Sequence, residues 1–342
     1  MLYAKDARGN FVQAKKAGKH KQYFCPGCLR PVILKKGELK VAHFAHQKKS
    51  CLTFSEGETL EHLKGKELLV RWCAQMNFHV ELEAYQKKLK QRPDVLCSSN
   101  FQSLALEFQC APLTVQQMVT RSAGYKRNGF KYIWFLGRRH YPSKKMTQQI
   151  AQFIRWHRNM GFYLIYIDTV YQRFEVLYGI QMGDLLPLKF MRFFAHSFSE
   201  LVNFMHTDHQ VRYFSITGIE KNQQIQNLIY RVHSCDRQFY QAQKCCYQQG
   251  FSFMHLAELM ISDLYYPPIY RHFAFSWKIF AVLNKDEQMR KIDVEQLSLR
   301  FINQHNLFYL PFVDLTKFRL REWHNFLLLS AKIDFDSKYR YN

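Results

Sequence analysis

The chain has 342 residues, 47% hydrophobic and 16% aromatic, which excludes a disordered polypeptide and supplies apolar surface for about two domains. Lys and Arg number 49 against 27 Asp and Glu, a net charge of +22, and that surplus points toward a polyanionic partner. No apolar run approaches the ~18 residues of a membrane span. The polar N-terminus MLYAKDARGN does not read as a signal peptide, and nine cysteines with one C-x-x-C pair are not expected to form a secreted disulfide scaffold. A cytoplasmic protein with no membrane partner is expected.

Three blocks differ in texture. Residues 1–54 form a basic module, 55–182 alternate helical and strand-like segments, and 183–342 are mostly helical and rich in aromatics. Residues 1–50 carry 12 Lys and Arg against only Asp6 and Glu38, a net of +10, so this end reads as a phosphate-facing surface. Lys15, Lys16, Lys19 and Lys21 are its expected DNA contacts; a merely soluble basic surface is the alternative. Cys25-Pro26-Gly27-Cys28, fourteen residues, then His43-Phe44-Ala45-His46 supply four ligands for a structural tetrahedral Zn²⁺, with a turn at Gly37 between two short strands. The close His spacing favours a zinc ribbon or knuckle over a base-reading finger, and Cys51 could replace His46. A Cys pair and two His on a basic loop without metal is the plainer alternative.

In the middle block, Leu60, Leu63, Leu68, Leu69 and Trp72 have helical spacing behind a polar Ser55, which predicts a helix over 56–76 with its cap near Ser55. Phe78, Val80 and Leu82 alternate with His79, Glu81 and Glu83 as a half-buried strand. A short strand follows at 92–96, a turn at Asn100, and an alternating strand at 104–109. Residues 113–128 read as a helix and 131–136 as a strand buried on both faces. The order is α-β-β-β-α-β, a mixed α/β (α+β) fold. A helix over 146–158 and strands at 162–167 and 173–177, with a turn near Asp168, extend the same sheet.

Glu107 and Gln109, two apart on one strand, share a face, and Asp94 on the neighbouring strand can converge with them. Two carboxylates on one sheet face can hold Mg²⁺ or Mn²⁺, which polarises a phosphate and acidifies a bound water, the work of phosphodiester hydrolysis. Glu58, His62 and Lys66 recur every four residues on the preceding helix. Glu58 could be a further metal ligand, His62 a proton carrier and Lys66 a phosphate clamp. Singly, each has an ordinary alternative: Asp94 could cap a turn, Glu107 could pair with Arg92, and the helix triplet could be a solvated face. Carboxyl and amide groups set between Leu104, Leu106 and Phe108 nonetheless need a reason, such as a metal. Arg92, Arg121 and Tyr125 are expected to touch DNA, with buttressing of the carboxylates or ordinary helix-surface pairing as the alternatives for the last two.

The C-terminal block shows helical stretches around 223–233, 253–264, 285–304 and 320–331, interrupted by Pro267 and Pro268. Cys235, Cys245 and Cys246 could bind metal with His233 or His255, although buried thiols explain them better. Tyr265, Tyr266 and Tyr270 fit core packing better than base stacking.

The PD…E-x-Q pattern in an α-β-β-β-α-β order resembles the PD-(D/E)xK nuclease superfamily, with Gln109 in the lysine position. Together with Cys25-Pro26-x-Cys28…His43-Phe44-Ala45-His46, Glu58-x3-His62-x3-Lys66, Arg92-Pro93-Asp94-Val95 and Arg121-x3-Tyr125, it resembles the CoiA competence-protein family over residues 20–140. The resemblance implies a zinc-ribbon-like module, a restriction-endonuclease-like core and a helical C-terminal domain. It also implies a role in natural transformation of Gram-positive bacteria, where incoming single strands are recombined. The expected activity is a metal-dependent DNA nuclease acting on single-stranded or branched DNA, with a recombinase or other competence proteins as partners. A lysine would bring positive charge beside the attacking water, whereas Gln109 brings only hydrogen bonds; Lys66 could restore that charge. The alternative is a non-catalytic DNA-binding recombination mediator with a degenerate nuclease fold.

Overall fold

The computed structural model describes residues 3–25, 29–37, 42–46, 59–84, 86, 91–99, 102–143, 145–284, 294–302 and 307–331. The expected ligands Cys28 and Cys51, the helix-face residue Glu58, and the signals at Ser55 and Asn100 lie outside them.

The basic N-terminus makes a small antiparallel sheet of β1 (Tyr3–Lys5), β2 (Phe11–Gln13), β3 (Tyr23–Phe24), β4 (Pro31–Lys35) and β5 (His43–His46), in the order β2-β1-β3-β4-β5. Its core is small because the segment offers few large apolar groups: Tyr23, Cys25, Val32 and Phe44 pack with four alanines, and the Tyr23 and Phe44 ring centroids lie 4.8 Å apart. Lys15, Lys16, Lys19 and Lys21 all project into solvent around a single 3-10 turn at Ala14–Lys16.

The α-β-β-β-α-β order is realised by α1 (Leu60–Gln75), β6 (His79–Leu82), β7 (Val95–Ser98), β8 (Ser103–Gln109), α2 (Val115–Arg127) and β9 (Lys131–Leu136). Helix α1 starts later than its spacing suggested: Thr59 is the cap, its hydroxyl accepting from His62 N at 3.2 Å. Helix α2 opens with a capping box between Thr114 and Gln117. Strands β6, β7 and β8 pair antiparallel, and β8 pairs parallel with β9 from Leu104↔Lys131 to Gln109↔Leu136.

Strand β8 is central and buried on both faces. Leu106 and Phe108 face α1, while Ala105 and Glu107 face α2. The approach of α1 is close because Gly65 carries no side chain; a β-carbon there would overlap the Phe108 ring.

Residues expected as one helix over 146–158 divide instead into a short α3 (Gln148–Ala151) and β10 (Arg155–His157). Burial of Ile150, Ala151, Phe153 and Ile154 is achieved by a turn, and Trp156 and Arg155 then pair with Phe162 and Tyr163 of β11 (Gly161–Asp168). Strand β12 (Arg173–Gln181) and β13 (Lys189–Ala195) complete an eight-stranded sheet, seven strands in the order β13-β12-β11-β9-β8-β7-β6 with β10 paired to β11 off that path, so the sheet runs on through Ala195. Then follow α4 (Phe198–His206), α5 (Gly218–His233), α6 (Tyr240–Gln248), α7 (Phe253–Met260), α8 (Ala274–Leu283), α9 (Val294–Phe301) and α10 (Thr316–Ser330).

Two compact units emerge, one comprising Met1–Tyr141, Leu164–Val176 and Arg192–Thr207, the other Pro142–Tyr163, Leu177–Met191 and Asp208–Asn342. Within the second, Tyr265, Tyr266 and Tyr270 are buried as core aromatics, and Phe239 packs with Phe253, Phe273 and Phe275. Among the described residues, no helix is long and apolar enough to cross a membrane.

Candidate functional site

Three charged groups surround the β7–β8 strand pair, where α1 and α2 pack on opposite sheet faces. The first centres on Asp94, placed just before β7. Both of its hydrogen bonds fall on Oδ2, from Phe108 N at 2.8 Å and His62 Nε2 at 3.2 Å. Burial pushes this carboxyl up, but the charges of His62, Lys66 and Arg121 outweigh burial and hold it below the usual carboxylate range. The His62 ring is itself seated against Phe108, with centroids 5.9 Å apart.

The second group centres on Glu107, which is 1% exposed. Arg121 Nη2 donates to both carboxylate oxygens, at 2.6 and 2.8 Å, and the Tyr125 hydroxyl donates to Oε1. Burial pushes Glu107 up to about 7, the Asp94 charge adds to this, and Arg121 and Tyr125 oppose it. Tyr125 is fully buried, so the expectation that it touches DNA is corrected: it is a buttress. Arg121, whose side chain is 34% exposed, buttresses the same carboxylate.

The third group was not legible as a site. Glu83 follows β6 directly with a left-handed φ of +53°, unusual for a residue with a side chain, and this turn carries its carboxylate inward. There it pairs with Lys66, and Arg92 Nη1 lies 3.6 Å from its other oxygen. Lys66 is completely buried and Glu83 nearly so. The expected phosphate clamp at Lys66 is therefore corrected to a buried ion pair. Arg92, with only 11% of its side chain exposed, is likewise directed at Glu83 and not at solvent. Gln109, in the lysine position, donates its amide to Ala111 O at 2.6 Å.

His62 and Lys66 share the sheet-facing side of α1, as their spacing suggested. Among the described residues, no three His, Cys, Asp or Glu groups gather closely enough to hold a metal ion by themselves. The donor set nevertheless fits a hard cation, since Mg²⁺ is commonly held by one or two carboxylates and completes its shell with water and substrate phosphate. Asp94 retains Oδ1 outside its two hydrogen bonds, and Glu107 shares its oxygens with Arg121.

In the basic module, Cys25 is fully buried and closes the β3–β4 turn: its N donates to Arg30 O and its O accepts from Leu29 N, both at 2.8 Å. Register places Tyr23, Val32 and His46 opposite one another, so His46 lies on the face that Cys25 and Phe44 share. His43 is three residues from His46 on the same strand. It therefore points to the other face, about 10 Å away. Strand periodicity thus sets His46, rather than His43, on the face of Cys25.

Among the described residues no cysteine is in a disulfide; Cys246 is buried in α6 and Cys235 is exposed. No carboxylate pairs with Lys15, Lys16, Lys19 or Lys21 among those residues.

Comparison with known proteins follows the same division. A model described as Competence protein CoiA, N-terminal domain, matches residues 8–54, and one described as Competence protein CoiA, nuclease-like domain, matches residues 58–201. Together they take in more than half of the chain. The Competence protein CoiA of Bacillus subtilis (strain 168) is 37% identical over 120 residues. That stretch is 35% of this chain and 32% of the relative, so the chain spans about a third of the length of the curated relative it matches. No solved structure matches the chain.

Proposed function

We propose, from the premise that this chain belongs to the CoiA family of competence proteins, that it hydrolyses DNA with Mg²⁺ or Mn²⁺ held by Asp94 and Glu107. Its place would be in the cytoplasm, after DNA uptake, on incoming single-stranded or branched DNA, alongside a recombinase or other competence proteins. The observation that carries the reading is the fixing of Asp94. Two hydrogen bonds on Oδ2, one from the backbone of the strand that bears Glu107, fix it, the charges of His62, Lys66 and Arg121 keep it ionised, and Oδ1 is left as the oxygen that would meet a metal. A bound divalent cation polarises the scissile phosphate and lowers the pKa of a coordinated water. His62 orients Asp94, and Tyr125 holds Glu107. Arg121 brings positive charge directly onto Glu107, and the buried Lys66 adds to the field on Asp94, in a site whose motif lysine is Gln109.

The test is cleavage of labelled single-stranded, duplex and branched DNA at one fixed salt concentration by the wild type, Asp94→Ala and Glu107→Ala. Metal-dependent products from the wild type, lost in both variants, are expected. A second reading, a mediator that holds DNA without cutting it, is favoured by the Arg121 contacts that already occupy Glu107 and by the amide at Gln109. Binding by all three proteins without products would decide for it.

We further propose that the N-terminal module holds one structural zinc through Cys25 and His46, with Cys28 and Cys51 as the remaining thiolates of the sequence. His43 has no part in it. Metal analysis should find zinc retained in His43→Ala and lost in His46→Ala; equal loss in both would reject this ligand set.

A further inference from the structure

The second unit contains a basic and aromatic helix face that the carboxylate site does not use. Tyr240, Lys244 and Tyr247 follow one another at steps of four and three residues, which aligns the three on one side of α6, and the exposed Arg237 lies in the turn just before it. The opposite side is the buried one, formed by Ala242 and Cys246. Tyr240 is 60% exposed and Tyr247 81%, far more than a phenol ring needs merely to keep its hydroxyl wet. Gln241 and Gln248 flank the stripe and are also exposed.

The charge of the face is one-sided. Residues 237–257 contain no Asp or Glu, and the nearest preceding acid, Asp236, is paired with Arg231. Among the described residues no carboxylate pairs with Arg237 or Lys244. Residues 240 and 247 are about 10 Å apart along the axis, roughly three steps of a stacked strand, with Lys244 between them in the helix. Aromatic rings separated by cations suit an unpaired strand, whose bases offer free π-faces while its phosphates meet the positive charge. A duplex hides those faces.

We propose that the Tyr240–Lys244–Tyr247 face of α6, with Arg237 just before it, is a second contact for single-stranded DNA. It is built from residues outside the segment that the nuclease-like family model matches. It rests on the reading that the protein handles DNA and extends that reading to the C-terminal helices.

The experiment uses the full chain and fluorescence anisotropy with a labelled thymidine oligonucleotide and a duplex of the same length, at fixed salt. Four variants are compared with the wild type: Tyr240→Ala/Tyr247→Ala, Tyr240→Phe/Tyr247→Phe, Tyr240→Leu/Tyr247→Leu, and a control with Lys15, Lys16, Lys19 and Lys21 changed to Gln. Loss of two stacking rings should weaken single-strand binding at least about tenfold. Duplex binding should stay within about twofold, the Phe pair should bind like the wild type, and the Leu pair should fail like the Ala pair. Unchanged single-strand affinity in the Ala pair, with weakened binding in the lysine control, would overturn this contact while leaving the DNA reading standing. Retention by the Leu pair would mark an apolar protein-docking face and also overturn it. A wild type that binds neither DNA would overturn both.

Discussion

Lys66→Met is expected to lower the free energy of unfolding by about 3–5 kcal/mol, the cost of stranding one partner of a buried ion pair. Lys66 Nζ and the Glu83 carboxylate sit together inside the α1–β6 contact, with neither side chain exposed by more than 2%. Without the ammonium, Glu83 keeps only the Arg92 guanidinium at 3.6 Å, a distance too long for a hydrogen bond. A carboxylate so placed must either stay ionised in a poorly compensated site or take up a proton. Lys66→Met/Glu83→Leu removes both charges and fills the space with apolar atoms, so most of the stability should return. Urea unfolding of the three proteins gives the comparison, provided that the slope of each transition stays the same. The double variant also separates structure from chemistry. If the pair only supports the fold, DNA cleavage should survive in the refilled variant, whereas a phosphate clamp at Lys66 would be lost with it. A single variant as stable as the wild type would show that the pair is not buried in solution.

The nuclease-like core was readable because several signals agreed. The alternation of Leu104 to Gln109, the helical spacing from Leu63 to Trp72 and the unbroken run from Lys131 to Leu136 each specify one element, and together they set the order α-β-β-β-α-β. What the spacing could not give was the inward direction at each element. Arg121 and Tyr125 are one turn apart and so share a face, but only the packing of α2 on β9 turns that face toward Glu107. Glu83 followed Glu81 in the alternation and read as solvent-facing; the left-handed turn at Glu83 reverses this, and nothing local announces it. The failure over 146–158 has the same origin, since Ile150, Ala151, Phe153 and Ile154 can be buried by a helix or by a turn and strand. Pairing with β11 decides between them. His43 and His46 looked equivalent as letters and became unequal only once they lay in a strand, where odd separations change face.

With divalent metal removed, the stability of the protein should fall by about 3 kcal/mol between pH 4.5 and 7 because of Glu107 alone. Its folded-state pKa, pushed up to about 7, lies above the 4.5 of an exposed glutamate, so over this interval the folded chain holds a proton that the unfolded chain has released. Stability from that proton is complete below the unfolded value and is lost as pH rises through the folded one. Asp94 has the opposite sign. Held low by its cationic neighbours, it stabilises the fold above the ordinary carboxylate range and withdraws that support on acidification. The two windows barely overlap, so urea midpoints at pH 5 and pH 7.5 isolate Glu107. Glu107→Gln, which is neutral throughout and can still accept from Arg121 and Tyr125, should lose about 3 kcal/mol less than the wild type over that interval. Parallel behaviour of the two proteins would show that Arg121 and Tyr125 overcome burial and that Glu107 is ionised well below neutrality. The same balance links acid to metal. A proton and a divalent cation compete for the Glu107 oxygens, so metal binding should strengthen as pH rises through 7 and should lose that dependence in Glu107→Gln.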